Sequence, residues 1–281
     1  MVISTEGGGT TRQSPARVEP GSPAVPPAEP ADKIVIENLN VAYSDGTESL
    51  KAIHLRVRAG AITVLFGPAG GGKSTLLRTI NRLNDLADVV TLTGHVWLDG
   101  VDILSPTTDT IALRRKVGMV FARPVPLPMS IRQNLTYGLE LAGVTDRVRL
   151  EGAVENSLRA AALWDEIRDR LDEPAVRLSG GQQQRLCLAR SLALEPEVIL
   201  LDEPTSGLDP ISTGKVEETL QELKRSYTIV LVPHSIQQAA RAADFAAFFL
   251  AGELVEFGVG KEIFTHPRDK KTEDYVEGRF G

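Results

Sequence analysis

The chain has 281 residues, of which 42% are hydrophobic and 24% charged, a composition typical of a globular protein with a sizeable core. Its formal net charge of -6 argues against broad nucleic-acid binding, so we expect no nucleic-acid partner. The chain has no signal-peptide pattern, and no apolar run approaches the roughly 18 residues of a membrane span. Its single cysteine, Cys187, fits a reducing compartment. We therefore expect a cytosolic protein that reaches a membrane only through a partner.

The N-terminal residues 1–31 are rich in Pro, Gly, Ser, Thr and Glu and contain few bulky apolar side chains. Such a segment cannot bury enough surface to offset the entropy lost on ordering. We therefore predict a disordered tail at 1–31, for which partner binding is an alternative role, and a folded domain at 32–281.

Short β-rich runs follow at 34–36, 39–41 and 53–57 and predict a small antiparallel sheet. Asp99-Gly100 indicates a further hairpin with a type I′ turn. Tyr43 ends the first run and should lie near the predicted phosphate site. Its ring is equally compatible with stacking on a purine base and with a half-buried position in the strand.

The stretch 67–75 matches G-x-x-x-x-G-K-[ST], a loop whose backbone N–H groups surround phosphate oxygens. An apolar strand at 61–66 precedes it, and apolar residues at helical spacing up to Leu83 follow it, so the loop should open a helix that favours anions. Lys73 would supply a cation for the terminal phosphates and Ser74 an oxygen for magnesium. The predicted nucleotide-binding residues are Gly67, Pro68, Ala69, Gly70, Gly71, Gly72, Lys73, Ser74 and Thr75.

A short strand at 117–121 precedes a region in which apolar residues recur at helical spacing. This pattern predicts an inserted helical subdomain at about 122–178. After it, Ser179 and Gln182 fit a capping box in front of an amphipathic helix. Because Gly180 and Gly181 leave N–H groups bare in its first turn, this helix start is a second anion site. The first loop already holds the chain's own nucleotide, so the second site should meet the phosphate of another molecule.

The apolar run 198–201 predicts a strand covered on both faces, and it ends in Asp202 and Glu203. Open α/β sheets place ligands at this edge. Asp202 fits a magnesium-associated carboxylate, and Glu203 is placed to polarise an attacking water. His234 follows a further strand at 228–232, which favours contact with a γ-phosphate over a purely structural role.

The loop 67–75, the segments 178–182 and 199–204 and His234, in this order, resemble an ABC-type ATPase. The resemblance covers 33–281 and implies an α/β fold, namely a P-loop NTPase core with a mainly parallel sheet flanked by helices, an N-terminal antiparallel β subdomain and an inserted α-helical subdomain. It implies a homodimer in which each ATP, with Mg²⁺, lies between the loop of one copy and residues 179–182 of the other. By the same resemblance, Tyr43 stacks on adenine and the catalytic groups are Lys73, Glu203 as general base and His234 as γ-phosphate sensor.

Within this family the chain is most similar to the ATP-binding subunits of bacterial phosphate importers, through segments 123–131, 234–241, 252–258 and 264–281. That similarity implies two membrane-spanning permease subunits as partners, indirectly a phosphate-binding protein, and a location at the cytoplasmic face of the membrane. An importer of another small solute and a weakly hydrolysing regulatory switch remain alternatives. The switch is favoured by the long N-terminal tail and by one departure from the family pattern, Ala122, which stands where the family usually has Gln. Pro233 before His234 is a milder departure.

Overall fold

The structure is a computed structural model that describes residues 31–279, so the tail predicted at 1–31 lies outside the described residues apart from Ala31. The strands of the described part are β1 (Asp32–Tyr43), β2 (Glu48–Arg58), β3 (Ile62–Phe66), β4 (Val89–Leu98), β5 (Val101–Asp102), β6 (Val117–Val120), β7 (Val198–Asp202), β8 (Thr228–Val232), β9 (Phe245–Leu250) and β10 (Glu253–Val259). The α-helices are α1 (Lys73–Ile80), α2 (Thr110–Lys116), α3 (Ile131–Leu141), α4 (Arg147–Ala160), α5 (Trp164–Ile167), α6 (Gly180–Leu192), α7 (Pro210–Leu223), α8 (Ile236–Ala242), α9 (Gly260–Thr265) and α10 (Lys270–Val276).

A six-stranded sheet forms the centre of the fold, in the order β10-β9-β3-β8-β7-β6. Its strands pair in parallel except for β10, which runs antiparallel to β9. Every residue of β7 and β8 is buried, as expected for a parallel sheet that is covered on both faces. Because parallel strands end together, the segments after β3, β7 and β8 meet at one edge.

The two faces of this sheet belong to two buried apolar clusters. Ile199 and Leu201 pack in one cluster with residues of α3, α4 and α6. Val198 and Leu200 pack in the other, with α1 and the four-stranded antiparallel sheet β2-β1-β4-β5. Alternate side chains of a strand point to opposite faces, so one short apolar run supplies both clusters.

The predicted antiparallel sheet and its hairpin are confirmed. Asp99 and Gly100 connect β4 to β5 with φ of 50° and 78°, the pair of left-handed residues that a type I′ turn requires. The helical character of the region after β6 is confirmed by α3, α4 and α5. In the described part of the chain, no helix combines the length and apolarity that crossing a bilayer requires.

The helix after the loop is shorter than its apolar spacing predicts. It ends at Ile80, before Leu83, and Arg82 adopts a left-handed φ of 59°. The guanidinium of Arg114 donates to the carbonyls of Asn81, at 3.3 Å, and Arg82, at 2.8 Å. A distant side chain thus satisfies carbonyls at the helix end and stabilises the stop.

Candidate active site

The predicted phosphate loop connects β3 to α1. Gly72 caps α1 with a φ of 96° and contributes no side chain, so the first N–H groups of the helix stay available for an anion. The Lys73 ammonium donates to the carbonyls of Gly67, at 2.8 Å, and Pro68, at 2.7 Å. Burial lowers the pKa of Lys73, and the nearby carboxylates of Glu203 and Asp202 oppose that shift.

Two of the loop glycines are required by packing against neighbouring strands. A Cβ on Gly67 would lie 2.0 Å from the carbonyl oxygen of Phe249 in β9, and a Cβ on Gly72 would lie 2.3 Å from that of Ser49 in β2. Backbone atoms cannot move aside as a flexible side chain can. The path of the loop is therefore fixed by its contacts with these strands.

Ser74 and Asp202 lie together as the sequence predicts. The Ser74 hydroxyl donates to the Asp202 carboxylate at 3.0 Å, and Asp202 is buried at the end of β7. A hydroxyl and a carboxylate are hard oxygen ligands of the kind that Mg²⁺ prefers. The donor set therefore fits a magnesium ion.

Glu203 and His234 also converge. His234 Nδ1 lies 3.9 Å from Glu203 Oε2, and both side chains are exposed to solvent. They line, with Lys73, a cavity of about 230 Å³. Glu203 has a left-handed φ of 48°, and its N–H donates to the Val232 carbonyl at 2.9 Å. A non-glycine residue held in the left-handed region has a strained backbone, and strained residues cluster at active sites.

Tyr43 lies at the end of β1, beside the phosphate loop. Its hydroxyl is 3.1 Å from the hydroxyl oxygen of Thr75, which also accepts a hydrogen bond from Ser49 at 2.7 Å. The phenol is thus tied to the first turn of α1. Stacking of its ring on a base stays a prediction.

The helix start at 179–182 is formed as predicted. The Ser179 hydroxyl accepts from the Gln182 N–H, and the Gln182 side chain accepts from the Ser179 N–H. Ser179 and Gly180 are exposed, and none of residues 179–182 is among those that line the cavity with Lys73, Glu203 and His234. Within this chain the two predicted anion sites are separate.

Sequence reasoning missed an ionic cluster that supports this helix start. The Glu166 carboxylate accepts hydrogen bonds from Arg185, at 2.9 Å, and from Lys215, at 2.6 Å. It also accepts one from the Gln182 side chain, at 3.1 Å. The hydrogen bond from Arg185 lowers the pKa of Glu166 to about 2. Glu166 lies on α5, Arg185 and Gln182 on α6 and Lys215 on α7, so spacing along the chain gives no signal of the cluster.

Residues 50–206 match the family model described as ABC transporter. The chain belongs to the ABC transporter family. It is 53% identical over 246 residues to the "Phosphate import ATP-binding protein PstB 1" of Streptococcus agalactiae serotype III (strain NEM316), covering 88% of this chain and 97% of that protein. The proteins of the same name from strains of serotypes V and Ia give the same values.

Solved ABC structures share the fold. The cbiO1 protein of Clostridium perfringens, described as part of the cbiONQ transporter complex, has a TM-score of 0.74 at 28% identity and covers 88% of this chain and 96% of its own. The ATP-binding cassette MJ0796, described as a dimer bound to ADP and Pi, has a TM-score of 0.70 at 28% identity, with 81% of this chain and 99% of its own covered. These likenesses confirm the predicted α/β ATPase fold and ATP as the family's ligand.

The lowered pKa of Glu166 predicts an acid-dependent contribution to stability. A carboxylate with a depressed folded pKa stabilises the fold above its unfolded pKa of 4.5, and this contribution is lost as the pH falls toward about 2. We expect Glu166→Gln to lower the free energy of unfolding at pH 7, with a difference from wild type that narrows below about pH 5. Urea denaturation from pH 7 to pH 3 measures this.

Glu155→Gln is the matched control, because Glu155 forms only an exposed pair with Arg159 on α4. Its effect on the free energy of unfolding should be small at every pH. A difference for Glu166→Gln that stays constant with pH would contradict the ionic role of the cluster.

Proposed function

We propose that this chain is the ATP-hydrolysing subunit of an ABC importer of inorganic phosphate. The meeting of Lys73, Asp202, Glu203 and His234 at one edge of the sheet supports hydrolysis. The 53% identity to phosphate-import ATP-binding proteins, over 97% of their length, supports phosphate as the cargo. The chain works at the cytoplasmic face of the membrane, bound to two membrane-spanning permease subunits, with a phosphate-binding protein as an indirect partner.

ATP binds with its phosphates in the loop 67–75 and its adenine on the ring of Tyr43. The N–H groups of α1 and the Lys73 ammonium offset the phosphate charge. Ser74 and Asp202 would hold Mg²⁺, which supplies further positive charge to the phosphates when it is bound.

Hydrolysis then requires a base and a group that contacts the terminal phosphate. Glu203 accepts a proton from a water whose oxygen forms a bond to the γ-phosphorus, while the bond from that phosphorus to the β-phosphate oxygen breaks and ADP leaves. His234 donates a hydrogen bond to the γ-phosphate. The 3.9 Å separation between the two side chains lets both reach one reacting group.

A second copy of the chain completes each site. Ser179 and Gly180 at the start of α6 are exposed, Gly181 next to them is buried, and this helix start is apart from the cavity of its own chain. In a head-to-tail dimer, residues 179–182 bind the ATP held by the partner's loop. The N–H groups of Gly180 and Gly181 and the helix dipole favour that anion.

The alternative is a nucleotide-dependent switch that hydrolyses ATP weakly, and Ala122 favours it. β6 ends at Val120, and Phe121 separates it from Ala122. The Phe121 carbonyl accepts a hydrogen bond from Gln184 at 3.0 Å. A methyl group at this position can neither donate nor accept. An importer of another small solute fits the same site, since none of the site residues is proposed to contact the cargo.

We expect Glu203→Gln to bind ATP as wild type does and to lose roughly 10²–10⁴-fold in turnover, because general-base catalysis contributes about that much. The measurement is phosphate release by the chain assembled with its permease subunits, together with nucleotide binding. Glu253→Gln, at the exposed start of β10, is the control. Unchanged turnover in Glu203→Gln would remove this residue from the role of base.

The same assembly in vesicles tests the cargo. With the phosphate-binding protein supplied outside, ATP inside should drive uptake of labelled phosphate and not of labelled sulfate. Uptake of sulfate alone would favour another solute, and steady nucleotide binding without uptake of either would favour the switch.

We expect Ala122→Gln to raise transport-coupled hydrolysis, because its amide would supply the donor and the acceptor that the family usually has at this position. Ala122→Leu adds comparable bulk without the amide and serves as the matched control. Turnover is compared with the permease subunits present. Equal rates in Ala122→Gln and wild type would show that the missing amide does not limit hydrolysis.

A further inference from the structure

Gln238 is a buried polar residue on α8 that the mechanism above does not use. Gln238 is 2% exposed. The amide oxygen Oε1 accepts a hydrogen bond from the backbone N–H of His234, at 2.8 Å, and from the hydroxyl of Thr205, at 3.1 Å. Thr205 lies two residues after Glu203 and is itself buried. One oxygen atom therefore joins the two segments that carry the proposed base and the proposed phosphate contact.

The NH₂ group of this amide makes no hydrogen bond within the described part of the chain. Its nitrogen, Nε2, is buried. An unpaired buried donor is unfavourable, and an apolar side chain of similar length would avoid it. The residue is therefore better explained by what its oxygen holds than by packing.

Gln238 Oε1 binds the segments that carry His234 and Glu203, and the distance between these two side chains matters for the proposed hydrolysis. The Glu203 N–H already binds the Val232 carbonyl, which fixes the two strand ends where the segments begin. Beyond them, the chain bends at His234 and Ser235 before α8 on one side and turns at 204–207 on the other. Gln238 contacts both of these connections, at His234 and at Thr205.

We propose that Gln238 is a positioning residue for ATP hydrolysis, whose amide oxygen sets the placement of His234 relative to Glu203. This inference rests on the proposed roles of those two residues. It requires the acceptor oxygen and not the NH₂ group. Small displacements of catalytic groups lower turnover strongly, and the affinity for ATP should change little here because the loop 67–75 is proposed to hold most of the phosphate oxygens.

The test compares kcat and KM for ATP in the chain assembled with its permease subunits. Gln238→Met removes the acceptor at similar length, and we expect kcat to fall by about 10-fold or more with a much smaller change in KM. Gln238→Glu keeps an acceptor oxygen and should recover most of that loss. Gln237→Met changes the exposed neighbour on α8 and should match wild type.

A double-mutant comparison with Thr205 distinguishes a positioning role of Gln238 from an effect on stability alone. Thr205→Val removes one of the two donors, so adding it to Gln238→Met should lower kcat by less than the product of the two single effects. Thermal unfolding of each variant gives the folded fraction. A loss of kcat that follows only the folded fraction, or no rescue by Gln238→Glu, overturns the proposal.

Glu203→Gln, measured in parallel, distinguishes a failure of the proposed catalytic assignment from a failure of the inference about Gln238. If it keeps full turnover, the proposed catalytic assignment fails and the inference fails with it. If it is inactive while Gln238→Met has normal kcat, the assignment stands and only the role of Gln238 is wrong.

Discussion

The parallel pairing of β3, β7 and β8 is the constraint on which the site depends. Asp202 pairs with Val232 across β7 and β8, so the residues that follow each strand emerge side by side. The loop after β3 joins them at the same edge because β3 pairs with β8 in parallel. Residues separated by more than 100 positions in the chain are thereby brought within hydrogen-bonding distance, as the contact between Ser74 and Asp202 illustrates.

The two glycine-rich helix starts differ in how they are built. The start of α1 has no side-chain cap and lies in the cavity with Glu203, so a bound phosphate would serve as its cap. The start of α6 has a capping box and an ionic cluster centred on Glu166. If this helix end binds a partner's ligand, as proposed, it gains from being ordered beforehand, since less conformational freedom is lost on association.

Local patterns in the sequence were sufficient for most of the fold and for the groups at the site. The strands 198–202 and 228–232, the loop at 67–75 and the two helix starts each have a distinct local signature. Patterns could not predict contacts between distant side chains. Arg114 helps to end α1, and Gln238 joins two loops, through pairings that depend on the finished packing. The extent of the helical subdomain, set at about 122–178, stays a prediction, because its residues share one buried cluster with the central sheet.

The contact between Gly67 and the Phe249 carbonyl has a consequence for how nucleotide enters. Since a single added carbon would collide with β9 there, the backbone of the loop lies directly against this strand. A nucleotide bound by this loop, as proposed, would meet backbone already placed by the strand, so little entropy would be lost in organising it. We therefore expect rearrangements that transmit occupancy to a membrane partner in segments that pack less closely than this loop.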